Sequence, residues 1–376
     1  MEKKKALLVI AGRRAMPDVL PLLWLQPARV IVFTSEEGWE SEKGFRDIAT
    51  SLSGCEMEIV RNISAYDLEA CRQACLDVCR HYPLDDWDWT FSIGSSPKIS
   101  GIAGYEAAKV LQIPCWYVDT RHEKLISLIK DADMDKQTFF HIKLKQYMKI
   151  QHRSGRMKKE LTYRQQAEKW GEVSHELALS DDAPSFTGLW HDKKAAECIN
   201  LTPQLLNSPL LHYLEGQKLI EVDRRTSSCF FTSPEAASFL GTGDWLEVYV
   251  WYEVKQAGFA DDYLWGFSIK DGSVENELDL ALIYKAQLVI AECKTDRDPF
   301  KGKKDYLKKL DAIANLLGGT YVTRVFVTNQ YAEGNAFETF REQARQRAIV
   351  IVTKEELPRI GEILQHEAKS PTYARI

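Results

Sequence analysis

Short apolar runs alternate with amphipathic stretches through the first third of the chain. The runs Lys5–Ile10, Arg29–Phe33, Glu56–Val60, Trp89–Ile93 and Cys115–Val118 are rich in β-branched and aromatic residues, and they predict strands. Between them, apolar positions at helical spacing predict helices near Asp18–Leu25, Glu42–Ser53, Ala65–His81 and Ile102–Leu111. Strands alternating with helices imply an α/β fold with a parallel, doubly wound sheet. Ligands of such sheets bind beyond the carboxyl ends of the strands.

The pattern then changes. From about residue 123 to 190 the chain reads as a helical, basic connector carrying Lys143, Lys145, Lys149, His152, Arg153, Arg156, Lys158, Lys159 and Arg164. Such a run fits either a solvated helix face or a contact with a nucleic-acid backbone. Asn207–Phe231 predicts a helix, Leu210–Gln217, followed by a short hairpin ending in Cys229-Phe230-Phe231. Further on, a helix from Gly243-Asp244 to about Lys255 precedes strands at Leu264–Ile269, Glu277–Tyr284 and Leu288–Lys294. A helix at Lys304–Leu317, ended by Gly318-Gly319, then leads to a strand at Tyr321–Thr328.

Composition narrows the class. The 376 residues favour two domains, and 45% hydrophobic content is ample for two cores. A net charge of -5 does not mark the whole chain as a nucleic-acid binder, although local patches are not excluded by it. The first apolar run is too short for a signal peptide's core or a membrane span, so a cytoplasmic, membrane-free protein is expected. Eight cysteines sit mostly inside apolar patterns and read as reduced thiols. Cys71, Cys75 and Cys79 fall on one helix face as a buried small-residue stripe.

Two strand ends in the first half carry candidate chemistry. The first strand runs into Gly12-Arg13-Arg14, and the fourth into Gly94-Ser95-Ser96-Pro97-Lys98 ahead of a helix. Small residues let main-chain N–H groups approach an anion at a helix N-terminus, and Lys98 adds a cation. An ordinary capped turn fits the same residues.

In the second half the chemistry is more pointed. Asp279 lies on one predicted strand, and Glu292-Cys293-Lys294 on the next. Asp279 and Glu292 offer the hard oxygens that Mg²⁺ or Mn²⁺ prefer. Lys294 shares a face with Glu292 and is placed to orient a water or stabilise charge on a phosphate. A salt-bridged trio on a half-exposed sheet is the alternative. Glu277 shares Asp279's face as a secondary ligand candidate. Glu247 completes an Asp-x-x-Glu capping box with Asp244, or serves the metal site.

The order helix, three strands, helix, strand, with these acids and this lysine on it, resembles the PD-(D/E)xK restriction-endonuclease-like superfamily. The resemblance implies a nuclease using Asp279, Glu292, Lys294 and Glu247, with Asp279 and Glu292 on the metal; Leu278 stands where the proline of the name would be. Joined to a doubly wound domain with a Gly-Ser-Ser-Pro-Lys loop, the chain resembles the CRISPR-associated ancillary nucleases, whose N-terminal CARF (CRISPR-associated Rossmann fold) domain senses a cyclic oligoadenylate. The domains implied are a sensor at 1–125, a connector at 126–194 and a nuclease at 195–376. The resemblance further implies a homodimer, cyclic tetra-adenylate held by Gly12, Arg13, Arg14, Gly94, Ser95, Ser96 and Lys98, and cleavage of DNA or RNA with Mn²⁺ or Mg²⁺.

Overall fold

In a computed structural model the described residues are 3–12, 14–35, 42–52, 54–119, 124–129, 141–151, 154–157, 162–191, 193, 197–271, 274–301, 305–319 and 322–372. The chain divides into two compact units, Met1–Ser154 and Gly155–Ile376, so the connector segment 126–194 is shared between them.

The first unit is built from β1 (Lys4–Ile10), α1 (Met16–Leu25), β2 (Arg29–Phe33), α2 (Glu42–Ser51), β3 (Glu56–Val60), α3 (Leu68–His81), β4 (Trp87–Ser92), α4 (Lys98–Leu111), β5 (Cys115–Asp119), β6 (Lys124–Ser127) and α5 (Leu144–Ile150). Its sheet has the order β3-β2-β1-β4-β5-β6. The first five strands run parallel, as the βαβ alternation predicts, and β6 adds an antiparallel edge. The chain moves outward from β1 to β3 and then returns to place β4 beside β1. The β1/β4 junction is therefore the switch point where such sheets open a ligand crevice. Register puts Val9 opposite Ser92, so the loops after β1 and β4 leave the sheet side by side.

Two helices start elsewhere than the periodicity alone indicates. Asp67 caps α3 by accepting the Ala70 N–H at 3.0 Å, which fixes its start at Leu68. Helix α4 begins at Lys98, not Ile102, because Pro97 sets the entry and Lys98 is its first residue. Cys71, Cys75 and Cys79 are buried on α3 and pack with Leu8, Phe91 and Ala107, as a core stripe should. Burial pushes the Cys79 and Cys115 thiols up to about 12.

The second unit continues with β7 (Ser154–Met157), α6 (Thr162–Leu179), α7 (Ala183–Trp190), β8 (Ile199–Asn200), α8 (Pro203–Leu206), α9 (Pro209–Gly216), β9 (Ile220–Asp223), β10 (Ser228–Phe231), α10 (Pro234–Gly241), α11 (Asp244–Ala257), β11 (Asp262–Asp271), β12 (Val274–Tyr284), β13 (Gln287–Lys294), α12 (Tyr306–Leu317), β14 (Val322–Thr328), α13 (Gly334–Gln346), β15 (Ile349–Val352) and α14 (Ile360–Lys369). A small antiparallel sheet, β8-β10-β9, contains the expected hairpin. The main sheet has the order β15-β14-β13-β12-β11-β7, with β11, β12 and β13 antiparallel and β13, β14 and β15 parallel. Strand β13 is apolar on both faces and buried along its length, which fits its place in the middle of the sheet. Trp245, Val248 and Tyr249 of α11 join its core, and the Tyr249 hydroxyl donates to the Leu357 carbonyl at 2.6 Å.

Candidate functional site

The antiparallel ladder between β12 and β13 has Leu280 and Ala291 as its last pair. Past that pair the strands exchange side-chain contacts instead. Asp279 Oδ2 accepts the main-chain N–H of Cys293 at 2.7 Å. The Lys294 ammonium then lies 3.1 Å from Asp279 Oδ2, 2.9 Å from Glu292 Oε1 and 2.9 Å from the Cys293 carbonyl. Alternation along β13 explains the arrangement: Glu292 and Lys294 share one face, while Cys293 turns into the core. The three expected residues are therefore brought together.

Burial makes the arrangement electrostatically tense. Glu292 is 1% exposed and Asp279 6%. Burial, reinforced by the neighbouring Glu292 charge, pushes the Asp279 carboxyl up to about 6, against the pull of Lys294 and the Cys293 N–H. Burial works against the Lys294 ammonium too, but Asp279 and Glu292 outweigh it and hold its pKa above the usual lysine value.

Glu247 comes to the edge of the site from α11. Its Oε2 accepts the indole N–H of Trp265 at 2.6 Å, and its charge helps raise the pKa of the Cys293 thiol, which burial dominates. The capping box expected for Asp244 and Glu247 is not formed. Gly243, at φ 87°, occupies the cap, and Asp244 is already helical, accepting from the Thr242 hydroxyl at 3.0 Å and the Ser238 hydroxyl at 3.3 Å. The glycine has a second reason to be there: a Cβ at Gly243 would sit 2.2 Å from Thr295 Oγ1. Only a glycine lets the start of α11 close on the residue that follows Lys294. Glu277 is half-buried two residues before Asp279, opposite Ser268 in the β11–β12 ladder.

Neighbours from other elements complete the surroundings, and sequence reasoning gave neither the contact of Lys309 with Glu292 nor the places of Tyr306 and His191. Lys309 of α12 reaches both oxygens of Glu292 at 3.2 Å. The Tyr306 ring lies under the Lys294 ammonium, 5.5 Å from ring centre to Nζ, and its hydroxyl donates to Asp296. His191 Nε2 lies 3.8 Å from the same carboxylate. The sequence sets Lys309 in a group with Lys301, Lys303, Lys304 and Lys308 that fits either a phosphate-backbone contact or a solvated helix face; Lys301 and Lys308 pair locally with Asp298 and Asp305, and Lys303 and Lys304 lie outside the described residues. In the connector's basic run, His152, Arg153, Lys158 and Lys159 likewise lie outside them.

At the switch point of the first unit, the two expected loops meet. The Gly12 N–H donates to Ser95 Oγ at 2.7 Å, and Ser95 Oγ donates to Asp18 Oδ1 at 2.5 Å. A Cβ at Gly12 would lie 1.7 Å from the Ser95 carbonyl oxygen, so the contact requires glycine. Asp18 has no exposed surface, and its Oδ2 has no hydrogen-bond partner among the described residues. Burial raises its pKa well above the usual aspartate value, against the hydrogen bonds from Ser95 and Gly12. Ser96 Oγ donates to the Ile93 carbonyl at 2.9 Å, Gly94 is half-buried, and Lys98 is exposed at the start of α4. Arg14 is exposed, and Arg13 lies outside the described residues.

The second unit thus brings an acid–acid–lysine cluster to one end of its mixed sheet, and in the first the loops after β1 and β4 meet at the switch point of a doubly wound sheet. Residues 234–370 match the family model described as Card1-like, endonuclease domain. Over nearly its whole length the chain is similar to protein VC1899 from Vibrio cholerae, at 19% identity and a TM-score of 0.74, with 98% of each chain covered. It is similar to Can2 from Sulfobacillus thermosulfidooxidans, solved with cyclic tetra-adenylate, at 19% identity and a TM-score of 0.73, with 97% of each chain covered. A type III CRISPR defence DNA nuclease activated by cyclic oligoadenylate aligns at 14% identity and a TM-score of 0.53, over 89% of this chain and 46% of that one. These identities establish a shared fold. No curated protein sequence matches. No helix among the described residues is long and apolar enough to cross a membrane.

Proposed function

We propose that this protein is a cyclic-oligoadenylate-activated, metal-dependent nuclease of type III CRISPR defence, acting as a cytoplasmic homodimer on DNA, RNA or both. The observation that carries the reading is the convergence of Asp279, Glu292 and Lys294 at one end of an endonuclease-domain sheet. Support for the activator comes from the fold shared with Can2, whose structure holds cyclic tetra-adenylate, and from the Gly12–Ser95 contact at the switch point.

The donor set fits a hard divalent cation. Asp279 and Glu292 offer two carboxylates at one end of the sheet, so a cation held by them would complete its shell with water or phosphate, an open site. Mg²⁺ and Mn²⁺ sites of phosphoryl enzymes are of that open kind, with one or two carboxylates completed by water and phosphate. Both contacts of Asp279 fall on Oδ2, which leaves Oδ1 for a ligand. Asp279 and Glu292 are thus the residues to hold Mn²⁺ or Mg²⁺, which when bound supplies electrostatic stabilisation of the phosphodiester's charge. Lys294 donates to the attacking water or to a phosphate oxygen, Tyr306 keeps its ammonium in place, and Glu247 assists from α11.

At the other unit, main-chain N–H groups of the loops after β1 and β4 and the Lys98 ammonium receive phosphates of the activator. A ring of four equivalent nucleotides matches a molecular twofold, so one ring per dimer is expected. The test is incubation of purified protein with plasmid and with single-stranded DNA and RNA in Mn²⁺, with and without cyclic tetra-adenylate. Cleavage that depends on both additions is the expected result. Cleavage indifferent to the ring makes this a constitutive nuclease, and binding without cleavage makes it a regulator with an inactive core; either defeats the reading.

A further inference from the structure

Glu292 is held by two ammonium groups from different elements. Lys294 reaches Oε1 at 2.9 Å from the same strand, and Lys309 reaches both oxygens at 3.2 Å from α12. The two lysines are not equivalent. The Lys294 side chain is 22% exposed and wedged between two acids, whereas that of Lys309 is 43% exposed, against 2% for the carboxylate it touches. A long, solvated side chain therefore bends inward over a buried acid. Lys301 and Lys308 turn instead to Asp298 and Asp305 beside them, so the reach of Lys309 is not a general habit of this segment.

Two carboxylates and two ammonium groups balance charge for charge. A divalent cation entering between Asp279 and Glu292 meets Lys309 as a like charge. The four-carbon stem allows the ammonium to swing toward solvent while its helix stays in place. We propose that Lys309 is an exchangeable counter-cation. It neutralises Glu292 while the site holds neither metal nor nucleic acid, and it moves to a phosphate of the bound strand when a divalent cation takes its place. This rests on the metal-dependent nuclease reading above and adds a substrate-contacting residue to it. Lys294 is the less exchangeable of the two, because its ammonium also meets Asp279 and the Cys293 carbonyl and so stays at the reacting centre when its contact with Glu292 is given up.

The exchange predicts effects of opposite sign from one substitution. In full-length Lys309→Met, calorimetric titration with MnCl₂ in the absence of nucleic acid should show binding about tenfold tighter than wild type, the effect of removing one screened like charge. With cyclic tetra-adenylate present, the same variant should raise KM for a single-stranded oligonucleotide more than it lowers kcat. The slope of log KM against log salt should shrink by about 0.7, one phosphate contact on a single strand. Lys309→Arg, which keeps the charge, should restore the KM and its salt dependence. Unchanged or weaker Mn²⁺ binding in Lys309→Met overturns the proposal, as does an unchanged KM with an unchanged salt slope. Wild-type protein that takes up no Mn²⁺ defeats the metal-dependent reading itself, so the wild-type titration tells the two failures apart.

Discussion

Lys294 and Glu292 stand two residues apart on one strand, and the lysine ammonium closes on its neighbour's Oε1 at 2.9 Å. The same ammonium meets Asp279 and the Cys293 carbonyl, so three oxygens receive its three donors. The lysine proposed to act on water or phosphate is also the charge partner of two buried acids. Chemistry and stability are therefore coupled at this position, which a reading of the motif alone does not reveal.

The consequence is testable with Lys294→Ala. Cleavage should fall on the order of 100-fold or more, since an electrostatic group at the reacting centre is lost. Metal-free protein should also lose about 3–5 kcal/mol of stability, the usual cost of removing one partner from a buried ion pair. Mn²⁺ should return part of that stability, because it replaces the missing positive charge. Denaturant melts with and without Mn²⁺, beside a plasmid assay, check all three. A variant that cleaves like wild type refutes the site.

Glu247 offers a second test through Trp265, which is 4% exposed and gives Glu247 its indole N–H. Trp265→Phe keeps most of the ring and removes the donor. A hydrogen bond to a charged group contributes about 1.5–3 kcal/mol, so a measurable loss of stability is expected. If Glu247 assists cleavage, the rate should drop as well, and Glu247→Gln should reproduce the drop while retaining the Trp265 bond. Full cleavage by Glu247→Gln would reduce Glu247 to a structural acid.

How much of this the sequence discloses depends on the kind of contact. Asp279, Glu292 and Lys294 were legible because a strand's two-residue period forces Glu292 and Lys294 onto one face, and adjacent strands put Asp279 beside them. The Gly12 and Gly94–Lys98 loops were legible because parallel sheets expose the ends of β1 and β4 together. The turn of Lys309 toward Glu292 and the places of Trp265 and Asp296 were not, since which way a helix or neighbouring strand turns its side chains is set by tertiary packing, not by local period. The Asp-x-x-Glu pattern misled because Gly243 must close on Thr295, which places Asp244 inside the helix. Strand β6 was missed for its shortness: Lys124–Ser127 carries too few residues for alternation to register.

Lys98 provides the test at the other unit. It is exposed at the first residue of α4, next to the loop that Gly12 contacts through Ser95. Lys98→Ala should weaken cyclic tetra-adenylate binding by roughly 1.5–3 kcal/mol, the range for a charge-assisted bond. Mn²⁺ uptake by the nuclease domain should be unaffected. Calorimetric titration that returns the wild-type Kd would move the activator away from this loop.

Asp18 gives a pH-dependent prediction. Its carboxyl is buried against Ser95 with one oxygen unpartnered among the described residues, and burial raises its pKa well above the usual aspartate value. In the window between the ordinary and the raised value, folded protein keeps a proton that unfolded protein has lost. The unfolded state then binds fewer protons, so stability falls as pH rises. The contribution is complete below the ordinary aspartate pKa and is lost as pH climbs through the raised native one, at up to about 1.4 kcal/mol per pH unit. Asp18→Asn cannot titrate. Its amide oxygen can still accept from Ser95, so the loop contact should survive. Wild type should therefore lose stability relative to the variant as pH is raised from 5 to 8 in urea unfolding of the full chain. Hydrogen exchange compared at each pH should place the difference in the peptides around Asp18 and Ser95. Parallel pH profiles for the two proteins would mean that Asp18 is ionised in the folded state, with a partner for its second oxygen in solution.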